Sequence, residues 1–439
     1  MANDWRITTL DQLGRIVTGK TPSSAVVDAF DGDMPFVTPS DMNGARIIST
    51  TSRKLSASGQ ASVKNCIIPK NSILVSCIGS DMGKAAIVNF DCVTNQQINS
   101  IIVDTENSPL FVYYNLSLRK AEIRGSAGGS AQPILNKSAF GRLQIELPPI
   151  AEQRAIAHIL GTLDDKIELN RRANETLEAM ARALFKAWFV DFEPVRAKQE
   201  SRWHIGQSLP GLPAHLYDMF PDQLVESELG EIPVGWKLGA IEDLCSSISS
   251  GGTPARKKPL YWSNGTIPWF KTGELNDGPL LDADEKINEA ALAGSSCKLW
   301  PAGTILFALY ASPTVGRIGI LTTPGTSNQA AAGLMAKDSF GIPFLRRVLI
   351  EAREKLQSVA VGAAQQNINQ AILKSHQIIL PASELAKEYS RIVSSWDDQQ
   401  VEIAREIRSL NLLRDTLLHK LISGELRIPD AERIVGAAV

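Results

Sequence analysis

The sequence predicts an α+β protein in which two pseudo-repeated mixed α/β domains are joined by two long helices. Those helices are expected to pair as an antiparallel coiled coil, giving pseudo-two-fold symmetry. Three observations predict this: a long heptad run, a second copy of that run, and a set of short motifs repeated ahead of each.

The heptad run lies between Glu152 and Phe192. Ile156, Leu160, Leu163, Ile167, Asn170, Asn174, Leu177, Ala181, Leu184 and Trp188 recur at alternating spacings of four and three. This lays a narrow, mostly apolar seam along one helix and calls for a partner helix. At 1.5 Å per residue the helix would be roughly 60 Å long, a strut rather than a core helix. Adding 233 to each position gives Tyr389, Val393, Trp396, Gln400, Ile403, Ile407, Leu410, Arg414, Leu417 and Leu421, again largely apolar. Asn170 and Asn174 interrupt the first seam, where a buried amide either fixes register or marks a wet opening.

Ahead of each strut the same landmarks recur. Trp5-Arg-Ile-Thr-Thr-Leu10 returns as Trp236-Lys-Leu-Gly-Ala-Ile241, and Gly19-Lys-Thr-Pro22 as Gly251-Gly-Thr-Pro254. Pro35-Phe36 matches Pro268-Trp269, Gly83-Lys84 matches Gly316-Arg317, and Asn95-Gln96 matches Asn328-Gln329. A repeat of this length means two domains of one fold. Runs such as Ser72–Ser76 and Thr304–Ala308 read as strands, while Leu110–Arg124 and Pro343–Gln357 read as helices. Leu143–Leu147 and Gln377–Leu380 read as closing strands before Pro148 and Pro381. The expected division is domain one at 1–148, strut one at 149–193, a linker at 194–235, domain two at 236–381, strut two at 382–426 and a tail at 427–439. Phe185, Phe189 and Leu413 exceed what one seam buries, so they are expected to face partners.

With 439 residues the chain exceeds one hydrophobic core. It has neither a basic region followed by an apolar run at its start nor a stretch of about 18 apolar residues, so no membrane partner and a cytoplasmic location are expected. Five cysteines without a C-x-x-C pair and five scattered histidines point to reduced thiols and no metal site. The net charge of −2 conceals a division: +2 over residues 1–150, −5 over 151–235, +3 over 236–381 and −2 over 382–439. Mildly basic domains on acidic struts permit phosphate contact.

Enzymatic signatures fail. Gly14-Arg-Ile-Val-Thr-Gly19-Lys20-Thr21 satisfies the phosphate-loop pattern, but Ile16 and Val17 are bulky where amides would wrap a phosphate, and Pro22 follows where a helix should start. An adenine-methylation loop and a methyl-donor motif are both missing. Glu228 stands where a nuclease carboxylate set beginning at Asp222 and Glu226 would need lysine.

Taken with their order and duplication, several stretches resemble the specificity subunits of type I restriction-modification systems across nearly the whole chain. They are the two G-x-T-P turns, Pro148-Pro-Ile-Ala-Glu-Gln-Arg154, Leu163-Asp-Asp165, Ala183-Leu-Phe-Lys-Ala-Trp-Phe-Val-Asp-Phe192, Ser227-Glu-Leu-Gly-Glu-Ile-Pro-Val-Gly-Trp236 and Leu421-Ile-Ser-Gly-Glu-Leu426. The resemblance implies two target-recognition domains, each reading half of a bipartite sequence in double-stranded DNA. It also implies two methyltransferase (modification) subunits docked on the helices, with restriction/translocase subunits beyond them. This chain would then be non-catalytic and bind no cofactor itself, with S-adenosylmethionine, ATP and Mg on the partners. A protein-binding scaffold without DNA recognition, and the specificity subunit of a related type IIB-like system, are the competing readings.

A domain reading DNA needs cations for phosphates and amides, hydroxyls or guanidinium groups for base edges. The candidates are Lys20, Thr21, Ser80, Lys84, Asn95, Gln96, Gln97 and Gln132 in the first domain. In the second they are Thr253, Arg256, Lys257, Lys258, Lys271, Thr272, Tyr310, Arg317, Asn328, Gln329, Gln365 and Gln366. Positions that match between copies also suit turn-holding, whereas those that differ, such as Gln97 against Ala330, suit discrimination.

Overall fold

In the computed structural model, residues 5–127, 134–310, 313–361 and 368–436 are described. The chain divides into two compact units, Met1–Leu169 with Arg408–Val439, and Asn170–Ile407. Both long helices, Ile150–Phe189 and Ser383–Ile422, run through both units instead of standing as separate bodies.

In the first unit a five-stranded sheet has the order Gly14–Thr18, Ile98–Val103, Ile73–Ser76, Ala85–Val88, Ile47–Ile48. Its middle strand Ile73–Ser76 is buried at every residue, as a strand covered on both faces must be. A second sheet has the order Arg53–Leu55, Phe30–Val37, Cys92–Thr94, Ile67–Ile68. A separate pair, Arg6–Thr9 with Gln144–Leu147, closes the domain just before the long helix. Gly14–Thr18 is therefore a ladder strand whose register with Ile98–Val103 runs from Gly14↔Val103 to Thr18↔Asn99, not a phosphate loop.

The second unit repeats this plan. Its five-stranded sheet has the order Cys245–Ser250, Ala331–Ala336, Ile305–Ala308, Ile318–Leu321, Pro279–Leu280. The smaller sheet is Glu285–Ile287, Ile267–Phe270, Thr326–Ser327, and the closing pair is Lys237–Ala240 with Gln377–Leu380. Where the first copy has strand Ile67–Ile68, the second keeps only the isolated bridge Trp300↔Gly325. The segment between the copies is ordered by helix Glu193–Gln199, the buried Trp203 and the hairpin Leu224–Ser227/Gly230–Pro233.

The seam residues Ile156, Leu160, Leu163 and Ile167 are buried in the first unit, as are Leu410, Leu417 and Leu421. Arg414 Nη1 reaches Asp164 Oδ1 across the pair at 2.9 Å. In the second unit Gln400 donates to the Asn174 carbonyl at 3.2 Å and the Tyr389 hydroxyl to the Ala181 carbonyl at 2.9 Å. Partner numbers fall as the first helix advances, so the pairing is antiparallel. Trp188 and Val393 are buried, whereas Leu177, Leu184, Trp396, Ile403 and Ile407 are half-buried. Asn174 Oδ1 and Asn170 Nδ2 are buried without a partner.

Phe185 and Phe189 correct the expectation of an outward apolar face. They lie 5.6 Å and 5.0 Å from the Phe344 ring and are almost fully buried among Phe344, Tyr389 and Trp236. The helix Ile342–Val361 covers that flank, so the seam faces the partner helix while this second stripe faces its own domain. The large hydrophobic residues left exposed on the long helices are Leu169, Met180 and Leu412, while Leu413 is half-buried.

Each repeated domain is anchored to the long helices through Leu163-Asp-Asp165 or its copy Trp396-Asp-Asp398. In the first unit Asp164 accepts from the Tyr114 hydroxyl at 2.6 Å and pairs with Arg414, while Arg46 pairs with Asp165. In the second, Tyr113-Tyr114 is replaced by Arg346-Arg347. Arg346 binds Asp397 at 2.8 Å, Glu178 at 2.9 Å, Gln400 at 3.0 Å and the Asp277 carbonyl at 2.8 Å, and Arg347 pairs with Glu178. The divergence at the start of the second strut has a similar logic. Gln153 accepts from the Ser108 amide at 2.9 Å in the first copy, whereas Ser390, one turn further on, accepts from the Phe344 amide at 3.2 Å in the second.

Candidate nucleic-acid interface

The G-x-T-P turns are pinned by close backbone approach. In the first domain the Gly19 amide donates to Ile98 at 3.1 Å and the Lys20 amide to Thr94 at 2.8 Å. A Cβ on Gly19 would sit 2.1 Å from Thr94 Oγ1 and 2.3 Å from the Asn95 carbonyl, so only glycine fits. In the second domain the Gly251 and Gly252 amides donate to Ala331 and Ser327 at 3.0 and 2.9 Å, and a Cβ on Gly251 would meet the Asn328 carbonyl at 2.3 Å.

This approach brings the candidate loops together within each domain. Thr21 hydrogen-bonds Gln96 at 2.8 Å, and Thr253 bonds the matching Gln329. The Cys77 amide donates to the Gln97 carbonyl at 2.8 Å, which ties the loop carrying Ser80 and Lys84 to the same rim. The Tyr310 hydroxyl likewise donates to the Gln329 carbonyl at 2.9 Å. Asn95 and Asn328 hold turns: Oδ1 accepts from the Gln97 amide at 3.1 Å in one copy and from the Ala330 amide at 3.2 Å in the other.

Among the described residues, Lys20 and Lys257 are exposed and, with the half-buried Arg317, have no carboxylate partner. Lys84 pairs with Asp81 at 2.8 Å, and Lys258 lies over Tyr261 with Nζ 3.1 Å from its hydroxyl. Arg256 and Lys271 converge on Glu285, Lys271 at 2.9 Å; their hydrogen bonds lower the Glu285 carboxyl to about 2. Thr272, at the start of the short turn Thr272–Glu274, is buried and drops out of the surface set. Gln132, Gln365 and Gln366 lie outside the described residues.

Sequence reasoning missed the aromatic floors of both rims. The Trp269 indole donates to the Gly252 carbonyl at 2.9 Å, immediately before Thr253, and Arg256 stacks over Trp262 at 3.8 Å and Trp269 at 4.8 Å. In the first domain Arg53 stacks over Phe30 at 3.6 Å. The Phe36/Trp269 match is legible in the sequence; the strands that bring arginine to it are not.

No group of three or more potential metal ligands is found among the described residues, and no helix is long and apolar enough to cross a membrane. Burial pushes Cys77 up to about 11 and Cys92 and Cys245 up to about 12, which keeps those thiols protonated and unreactive.

Comparison with known proteins agrees with this architecture. The family model for the type I restriction modification DNA specificity domain matches residues 2–179 and again 233–411, once per copy. The chain is 28% identical over 437 residues to the specificity subunit of the type I restriction enzyme MjaIX of Methanocaldococcus jannaschii, covering 97% of this chain and 94% of that one. It is 28% identical over 331 residues to the HindI specificity subunit of Haemophilus influenzae, covering 67% and 71%. Among solved structures, the S subunit of a type I restriction-modification system from M. genitalium shares the fold, with a TM-score of 0.58 at 16% identity over 95% of this chain and 96% of that one. Fold and duplication thus define a two-copy DNA-specificity protein. The chain belongs to the specificity subunits of type I restriction-modification systems, the non-catalytic components of those complexes.

Proposed function

We propose that this chain selects a bipartite target in double-stranded DNA, one half per recognition domain, and that its long helices carry two modification subunits and, through them, the restriction/translocase subunits. The observation that carries this reading is the duplication. Two domains with the same order in their five-stranded sheets present rims of different chemistry, and each is bonded to the long helices at the same motif, through Tyr114 to Asp164 or Arg346 to Asp397. A common scaffold with divergent rims suits two different short sequences read at a defined separation. S-adenosylmethionine, ATP and Mg belong on the partner subunits in this reading.

Each rim offers hydroxyl and amide groups beside unpaired cations, the mixture needed for base edges and phosphates respectively. The test is to co-express the chain with its modification subunits and sequence the methylated DNA. Two specific blocks separated by a fixed non-specific gap are expected. A single contiguous site, or methylation without sequence preference, would contradict the proposal.

A further inference from the structure

We infer that Arg53 reads a guanine in the half-site of the first domain; the inference names a residue within the reading proposed above and rests on it. In the smaller sheet Phe36 stands directly opposite Arg53, and in the second copy Trp269 stands directly opposite Glu285. The two ladder positions are equivalent and their aromatic neighbours match, yet one copy carries a guanidinium and the other a carboxylate. Two domains that share a scaffold and select different sequences should differ in charge at positions facing the ligand.

The Arg53 guanidinium is both fixed and available. Its centre lies 3.6 Å from the Phe30 ring centroid and 5.9 Å from that of Phe36, two rings packed edge to face. Such stacking orients the planar fork without using its N–H donors. Arg53 is exposed, and among the described residues no carboxylate pairs with it. Arg256 differs: although stacked on Trp262, it directs both terminal nitrogens at Glu285. A free fork is thus present on the first floor and closed on the second.

Position and charge favour a base over a phosphate. Phe30 lines an open cleft of 690 Å³ with Pro22, Asp28, Asp31 and Ser56, continuous in sequence with the turn bearing Lys20 and Thr21. The two aspartates at this cleft oppose the full charge of a phosphate more strongly than the uncharged O6 and N7 edge of guanine, and a guanidinium fork matches that edge with two hydrogen bonds.

The test uses the chain assembled with its modification subunits and selection of bound and methylated sites, for wild type, Arg53→Met and Arg53→Gln. Both variants should lower discrimination at one guanine of the first half-site by about 5- to 150-fold. Arg53→Gln should shift preference there toward adenine, the base a side-chain amide matches. The second half-site, read in the same experiment, should be unchanged. Equal weakening on all sequences with a salt slope shallower by about one would mean a phosphate grip and overturn the assignment. So would unchanged selectivity, or relaxation in both half-sites. If the wild-type complex itself selects no sequence, the proposed function fails and not this residue assignment alone.

Discussion

Replacing Asp397 with Asn should loosen the second recognition domain from the long helices. Arg346 and Arg347 keep only 4% and 2% of their side-chain surface exposed, and they face two carboxylates, Glu178 and Asp397. Two cations balance two anions; the arginines are buried, while Glu178 and Asp397 keep 33% and 21% of their side-chain surface exposed. Asp397→Asn leaves one buried positive charge uncompensated, a change that costs about 3–5 kcal/mol when a buried pair is broken. Asn retains an acceptor for one bond and Glu178 still touches both arginines, so the lower end, about 3 kcal/mol, is expected. At roughly 2–4 °C per kcal/mol for a unit of this size, the melting temperature should fall by roughly 6–12 °C. Differential scanning calorimetry of the full chain measures it. Adding Arg347→Met restores neutrality and should recover at least half of the loss, a coupling that a double-mutant cycle isolates. A single variant within 2 °C of wild type, or a double variant whose losses simply add, would refute the charge-balance reasoning.

Two further outcomes follow from geometry. The Glu285 carboxyl is held at about 2 by Arg256 and Lys271, and that of Glu388 at about 2 by Arg391 and His215, both below their ordinary value of 4.5. Their stabilisation is complete above about pH 4.5 and is lost as pH falls toward 2. A Glu285→Gln/Glu388→Gln variant should show a shallower decline in melting temperature from pH 6 to 2.5, by a small amount because these are surface pairs; a parallel decline would count against it. Gly19→Ala should cost about 1–3 kcal/mol, because its Cβ has no room beside Thr94 and Asn95, and should weaken selection at the first half-site only. Chemical denaturation and site selection check the two parts, and a variant as stable as wild type would show that the turn can open.

The long helices were legible because heptad spacing is a local signal repeated many times over, and the duplication because ten seam positions and several motifs share one offset. The fate of Phe185 and Phe189 was not legible. A heptad pattern identifies one seam, and only the docking of Ile342–Val361 shows that a second stripe is covered by its own domain. Leu163-Asp-Asp165 was visible as a repeated motif, but its role depends on Arg46, Tyr114 and Arg414, which lie far from it in sequence. The rim was half legible for the same reason. Turn residues such as Gly19 and Asn95 announce themselves, whereas the pairing of Arg53 with Phe36 is a matter of strand register, which no short stretch of sequence encodes.

If the two domains read separate halves of one target, exchanging one domain should change one half alone. Residues 1–148 would be replaced by the equivalent domain of a relative with a different target, and the chimaera co-expressed with the modification subunits for methylated-site sequencing. One half of the recognised sequence should change to that of the donor while the other half is retained. If both halves changed together, or if the original sequence persisted intact, the two domains would not be independent readers.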